Sequence, residues 1–357
     1  MQYGVNISTY KRVDNKKKKE LKVQGTPFRL IICLVMGFLL SRVLLSATVD
    51  MGIAPFGIAY LIGIKRENRV DLLLSLIGTV LGYLSISSTL EGAVSYSIVA
   101  VLVVGYMEVC NRLELKRRDY VIFFLVFSVF IIYNIVITNK PIEVNIVFSL
   151  LKVLSIIPVK YMISYALKCI DELESNYFFS TEEIISIGIL VCLLIAGIGS
   201  VSIFNIQIRN ILALSTIAVF AYIGGAGIGS AIGVSMGLII GITSGDIISA
   251  ITLYSLCGLI IGIFKEVNRV FAALSYSVVY FIIWMYSSVF NIYGGIEVLF
   301  SGILLISIPR VFIEAISNEF NQEKKAEVIN DMHLNGVKAE FIDRLSSMKS
   351  ILSLLSS

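Results

Sequence analysis

The dominant pattern along this chain is a long apolar run closed by a short polar loop, repeated from about residue 28 to residue 314. Twelve runs can be bounded, at 28–48, 51–64, 71–88, 93–110, 120–138, 143–167, 183–203, 208–223, 226–244, 247–264, 269–290 and 295–314. Most approach the roughly 20 residues that an α-helix needs to cross a hydrocarbon core. A membrane β-barrel would instead show alternating segments of about ten residues, and that pattern is missing from the sequence. The expected fold is all-α: a polytopic transmembrane bundle of ten to twelve spans, followed by a short cytoplasmic amphipathic or coiled-coil helix. The runs at 51–64 and 208–223 are short enough to be re-entrant.

Charge in the loops orients these runs. Lys and Arg concentrate in residues 10–29, at Lys65-Arg66-Glu67-Asn68-Arg69, from Arg112 to Arg118 and from Lys265 to Arg269. The alternate loops, near 89–92, 139–142, 204–207 and 291–294, carry almost none, Lys140 being the exception. Short loops rich in Lys and Arg stay on the cytoplasmic side, so strict alternation predicts an even number of spans with both termini in the cytoplasm. The basic arm at 1–27 then lies against anionic lipid rather than nucleic acid, since neither interleaved aromatics nor a nucleic-acid-binding motif accompanies it. The acidic loop 168–182 divides the bundle (28–316) into blocks 28–167 and 183–316. At its end, Ser180-Thr181-Glu182-Glu183 reads as a helix cap with carboxylates in the first turn.

Composition agrees. Charged residues make up 15% of the chain and mean hydropathy is +0.89, whereas a soluble domain carries about 25% charge to wet its surface. The five cysteines (Cys33, Cys110, Cys169, Cys192, Cys257) are widely spaced within or beside the spans, and the single histidine, His333, lies in the tail. Such spacing excludes a sequence-local metal site and suits small buried apolar side chains. Residues 317–357 change character, with Phe341, Leu345, Met348, Leu352 and Leu355 at 4-3-4-3 spacing. That is the seam of a helical connector that wants a partner, and it makes self-association an expectation.

Two features of the spans are candidates for function. Gly225, Gly229, Gly233, Gly237, Gly241 and Gly245 recur every fourth residue, along one side of a helix. A face without side chains admits close approach of another backbone, either within the molecule or at a dimer interface, or it lines a path. Arg42, Lys152 and Lys160 fall inside apolar runs, and Glu108, Asp246 and Glu297 near run ends. Intramembrane charge marks function by default, yet most of these lie where snorkelling reaches the interface. A proton or ion relay needs carboxylates deep in several spans, which disfavours the alternative of a transporter or permease with inverted halves. No catalytic or cofactor-binding motif is legible: there is neither a phosphate loop, nor a nucleophile elbow, nor paired carboxylates at metal spacing.

Several stretches resemble the N-terminal membrane region of the stage II sporulation protein E family of endospore-forming bacteria. They are Gly37-Phe38-Leu39-Leu40-Ser41-Arg42, Ala54-Pro55-Phe56-Gly57-Ile58-Ala59, Glu182-Glu183-Ile184-Ile185, and the run from Ile223 to Val234. The likeness continues through Gly258-Leu259-Ile260-Ile261-Gly262 to Lys265-Glu266. The resemblance implies a membrane bundle of about ten spans, a regulatory helical region, and a metal-dependent serine phosphatase using Mn or Mg. That phosphatase dephosphorylates an anti-anti-sigma factor and so activates the forespore sigma factor. The resemblance further implies location at the polar septum, a part in asymmetric septation, and contact with the tubulin-like division protein. No phosphatase motif occurs in this chain, so no catalytic residue is carried over.

Overall fold

The computed structural model describes residues 27–45, 52–64, 69–86, 92–113, 119–137, 141–171, 180–199, 201–286, 292–309 and 313. Among them are eleven α-helices and one two-stranded hairpin. The helices are α1 (Pro27–Ser41), α2 (Phe56–Gly63), α3 (Arg69–Ser85), α4 (Ala93–Arg112), α5 (Asp119–Ile137), α6 (Ile142–Asp171) and α7 (Thr181–Ala196). The hairpin strands β1 (Ser202–Ile203) and β2 (Ile206–Gln207) precede α8 (Ile208–Ser244), α9 (Ile247–Ile263), α10 (Arg269–Tyr286) and α11 (Ile292–Ser307). Five helices are long and apolar enough to cross a membrane: α4, α5, α6, α8 and α9. The protein is a helical membrane protein.

Local sequence sets the boundaries. Ser180 accepts from the Glu183 amide, and Glu183 returns a carboxylate oxygen to the Ser180 amide at 2.8 Å, a complete capping box at the start of α7. Asp246 accepts from the Ser249 amide and opens α9. Within α8, Gly225 sits at φ 80°, ψ −173° and divides the helix in two. A straight helix of 37 residues would be about 55 Å long, nearly twice a hydrocarbon core. The break lets the two pieces fold back as separate crossings.

Two cores form. The larger packs α1 to α6, with Ile58, Tyr83, Tyr96, Val103, Phe130 and Ile163 fully buried. The other packs α8 to α11 around Ile217, Ile232, Met236, Cys257 and Tyr276. Helix α7 serves both, giving Leu190, Leu193 and Ala196 to the first and Cys192 and Ile195 to the second.

Helix direction follows from the contacts. The starts of α1 and α3 meet the end of α4 through Arg29, Asp71, Arg69 and Glu108. At the opposite end of the bundle, Gly197, just past α7, abuts the Leu39 carbonyl near the end of α1. The bundle therefore has one end stitched by ion pairs between helices and, opposite it, an end where α1 meets the residues after α7.

Candidate functional site

The closest helix pairing joins the second half of α8 to α9, and glycine makes it possible. A Cβ on Gly229 would lie 2.6 Å from the Gly258 carbonyl oxygen, and one on Gly233 would meet the Tyr254 carbonyl and Ser255 Cα. On Gly237 it would stand 2.6 Å from Ile251 Cα, and on Gly241 2.6 Å from Ile247 Cα. Carbon atoms do not approach backbone that closely, so the four glycines hold α9 at backbone contact. Gly225 and Gly245 share the spacing but not the face. Gly225 is the left-handed break, and Gly245, at φ 83°, ends α8 with open space around it.

The partner surface on α9 is Gly258 and Gly262, four apart: Gly258 abuts the Gly229 carbonyl and Gly262 abuts Ala226. A second contact of this kind joins α1 to α3, where a Cβ on Gly37 would lie 2.6 Å from the Ser75 carbonyl oxygen and those on Gly78 and Gly82 would meet the Leu34 and Phe38 carbonyls. Sequence reasoning passed over Gly78, Gly82, Gly258 and Gly262 as packing residues. Their signal is a small residue repeated at four-residue spacing, which each pair shows only once.

The two ends of the glycine-packed pair are tied to the rest of the molecule by polar groups. Next to the Gly225 break lies Lys265, its Nζ 3.3 Å from where a Gly225 Cβ would stand. Arg269, one turn on, rests over the Tyr222 ring at 5.6 Å and donates to the Ile308 carbonyl at 3.1 Å, closing the end of α11. At the other end, buried Glu297 on α11 accepts from the Gln207 amide at 2.7 Å and from Asn210 Nδ2 at 2.9 Å. Tyr254 adds its hydroxyl to Asn210 Oδ1 at 3.4 Å, and buried Arg209 donates to Gln207 Oε1 at 3.5 Å.

The charges singled out in the first half also have structural partners. Lys160 Nζ pairs with Asp119 at 2.5 Å, joining α6 to α5, and Arg29 Nε pairs with Asp71 at 3.0 Å, joining α1 to α3. Glu108 takes both Arg112 at 3.1 Å and Arg69 at 3.5 Å. Lys152 is buried with its Nζ over the rings of Phe130 and Tyr96, at 5.2 and 5.5 Å, a placement that stabilises a cation by about 2 kcal/mol when desolvated. Arg42 lies over Phe38 and beside Gly199.

Between α1 and α2 the backbone leaves the helix, and two phenols close it. Tyr83 donates to the Ala54 carbonyl at 2.9 Å and accepts from the Ile58 amide at 3.1 Å. Tyr96 donates to the Gly52 carbonyl at 3.1 Å and accepts from the Ala54 amide at 3.2 Å. Helix α2 begins at Pro55 without a side-chain cap of its own, so the Tyr83 hydroxyl supplies one from another helix. Irregular backbone at membrane depth survives only where protein satisfies it in this way.

Among the described residues, no three His, Cys, Asp or Glu gather as metal ligands. The connector seam at Phe341, Leu345, Met348, Leu352 and Leu355 lies outside the described residues. The arrangement fixes helices against one another at both ends of the bundle.

Comparison with known proteins gives two results. The family model described as "SpoIIE, N-terminal domain" matches residues 2–317. Stage II sporulation protein E of Bacillus subtilis (strain 168) is 36% identical over 93 residues, covering 26% of this chain and 11% of that protein. The match thus spans about a tenth of the relative's length. No solved structure matches the chain.

Proposed function

The chain belongs to the SpoIIE N-terminal domain family, and from that premise we propose that it is the membrane-anchoring, septum-localising region of a sporulation phosphatase system. In this reading the bundle holds a serine phosphatase, acting with Mn or Mg on an anti-anti-sigma factor, at the site of asymmetric septation. The tubulin-like division protein and other septal proteins are its partners there. The observation that carries the reading is the family match along nearly the whole bundle, laid over a fold whose charged groups serve helix packing.

The polar groups speak against transport. Glu297 anchors a hairpin, Asp119 and Asp71 pair across helices, and Asp246 caps one. Carboxylates committed in this way are poor relay sites, because each proton taken up would loosen a helix contact.

The ion-paired end is assigned to the cytoplasm, since in sequence the basic runs 65–69 and 112–118 border the start of α3 and the end of α4. The chain leaves α11 at the same face, where Arg269 holds the Ile308 carbonyl. Residues 317–357 and their apolar seam then connect the bundle to cytoplasmic partners.

Residues 1–317 fused to a fluorescent protein test the localising role in sporulating cells. Fluorescence concentrated at the polar septum is the expected result. Even distribution over the whole cell membrane would contradict septum localisation while leaving the anchor intact.

A further inference from the structure

We propose that the β1–β2 hairpin is an interfacial wedge, its Ile203–Phe204 tip buried in the lipid leaflet at the end opposite the ion-paired one. The inference rests on the membrane-bundle reading and adds a lipid contact to it.

Helix α7 starts at a polar cap, Ser180 with exposed Glu182, on the ion-paired side. Its 16 residues rise about 24 Å, against a hydrocarbon core of about 30 Å. The first piece of α8, from Ile208 to the break at Gly225, reaches about 25 Å by the same rise. Both helices stop short of the far boundary by roughly a helical turn. The link between them, residues 197–207, therefore begins inside the apolar layer.

The chemistry of the link fits that depth. Its sequence, Gly-Ile-Gly-Ser-Val-Ser-Ile-Phe-Asn-Ile-Gln, carries no charge. The backbone closes on itself: Ser202 pairs with Gln207 and Ile203 with Ile206, and the Ile208 amide donates to the Val201 carbonyl at 3.2 Å. Glu297 takes the Gln207 amide. Self-satisfied backbone is what lipid demands and water does not.

The tip is apolar and held outward. Phe204 is 91% exposed, Ile203 56% and Val201 47%. In water this would be an unrelieved apolar patch, while in lipid it continues the exposed apolar belt of the neighbouring helices. Phe204 and Asn205 both have positive φ, 52° and 64°, the two-residue turn that suits a tight hairpin. A phenylalanine in this region is strained. The Glu297 clamp at the hairpin base holds it there.

The test places one tryptophan at the tip. Trp284, the only natural tryptophan, is replaced by Phe, and Phe204→Trp is introduced in vesicles of phosphatidylcholine and phosphatidylglycerol. Brominated phosphatidylcholine should at least halve the emission of Phe204→Trp, whereas aqueous acrylamide should quench it much less than Asn139→Trp in a polar loop. Acrylamide quenching equal to that of Asn139→Trp would overturn the wedge and place the tip in water. Quenching by neither agent would overturn it as well, because protein would then cover the tip. Val234→Trp, on an exposed part of α8, is the control: failure of brominated lipid to quench it removes the membrane reading itself, not the hairpin assignment alone.

Discussion

Replacing Gly233 or Gly237 by Leu lowers thermal stability and the yield of folded protein sharply, while the same change at Gly227, on the same helix, does not. Helix propensity alone favours Leu over Gly by about 1 kcal/mol at any of these positions. At Gly227 nothing lies within 4 Å of a new Cβ, so that gain stands. At Gly237 the Cβ would be 2.6 Å from Ile251 Cα and 2.7 Å from the Ala250 carbonyl oxygen. The obstacle is backbone, which cannot rotate away. Overpacking a core with side-chain neighbours costs about 1–3 kcal/mol, and separating two helices in backbone contact exceeds that range. Against a typical stability of about 5–15 kcal/mol, the loss is large. Thermal unfolding in detergent, read by size exclusion after heating, measures it. Equal midpoints for Gly233→Leu and Gly227→Leu would mean that the α8–α9 contact does not hold the bundle together.

Tyr83→Phe has the second large effect, although it removes one oxygen atom. The lost hydroxyl serves the Ala54 carbonyl and the Ile58 amide, and Tyr83 is fully buried. Each stranded group costs about 1–3 kcal/mol in a protein interior. Water cannot reach this break to compensate. Tyr96→Phe strands the Ala54 amide and the Gly52 carbonyl in the same way. The two rings lie 5.2 Å apart and hold the same irregular segment. The double variant therefore loses less than the sum of the singles, since once the break loosens the second phenol has less to hold. Unfolding midpoints of the three proteins decide the matter; a Tyr83→Phe protein as stable as the parent would mean that the segment 52–58 does not depend on its phenol caps.

Much of the architecture is legible in the hydrophobic pattern, because lipid imposes long apolar runs that nothing else in a sequence imitates. The bounds 93–110, 120–138 and 247–264 fall within a few residues of α4, α5 and α9. The cap at Ser180 is readable because its partners are three residues apart. Partners distant in the chain are not readable. Periodicity shows that Gly233 and Gly237 share a face, but not that Tyr254 and Ile251 stand opposite. Spacing also cannot separate a packing glycine from a terminating one: Gly225 and Gly245 continue the four-residue repeat, yet their positive φ values end helices. The short run at 51–64 reads as a possible re-entrant segment, and α2 has only eight helical residues. What sustains so short a helix, two tyrosines 25 to 44 residues away in the chain, leaves no local trace. Ion pairs such as Lys160–Asp119 behave alike, because only the fold brings the start of α5 beside the later half of α6.

The account rests on a bundle whose ion-paired end faces the cytoplasm, and single-cysteine labelling from outside the cell tests that most directly. With the five natural cysteines replaced, Arg117→Cys and Arg66→Cys should resist a membrane-impermeant maleimide until cells are permeabilised. Asn139→Cys, between α5 and α6 in the sequence, should react at once in intact cells. Reaction of position 117 in intact cells, with position 139 protected, would contradict the account.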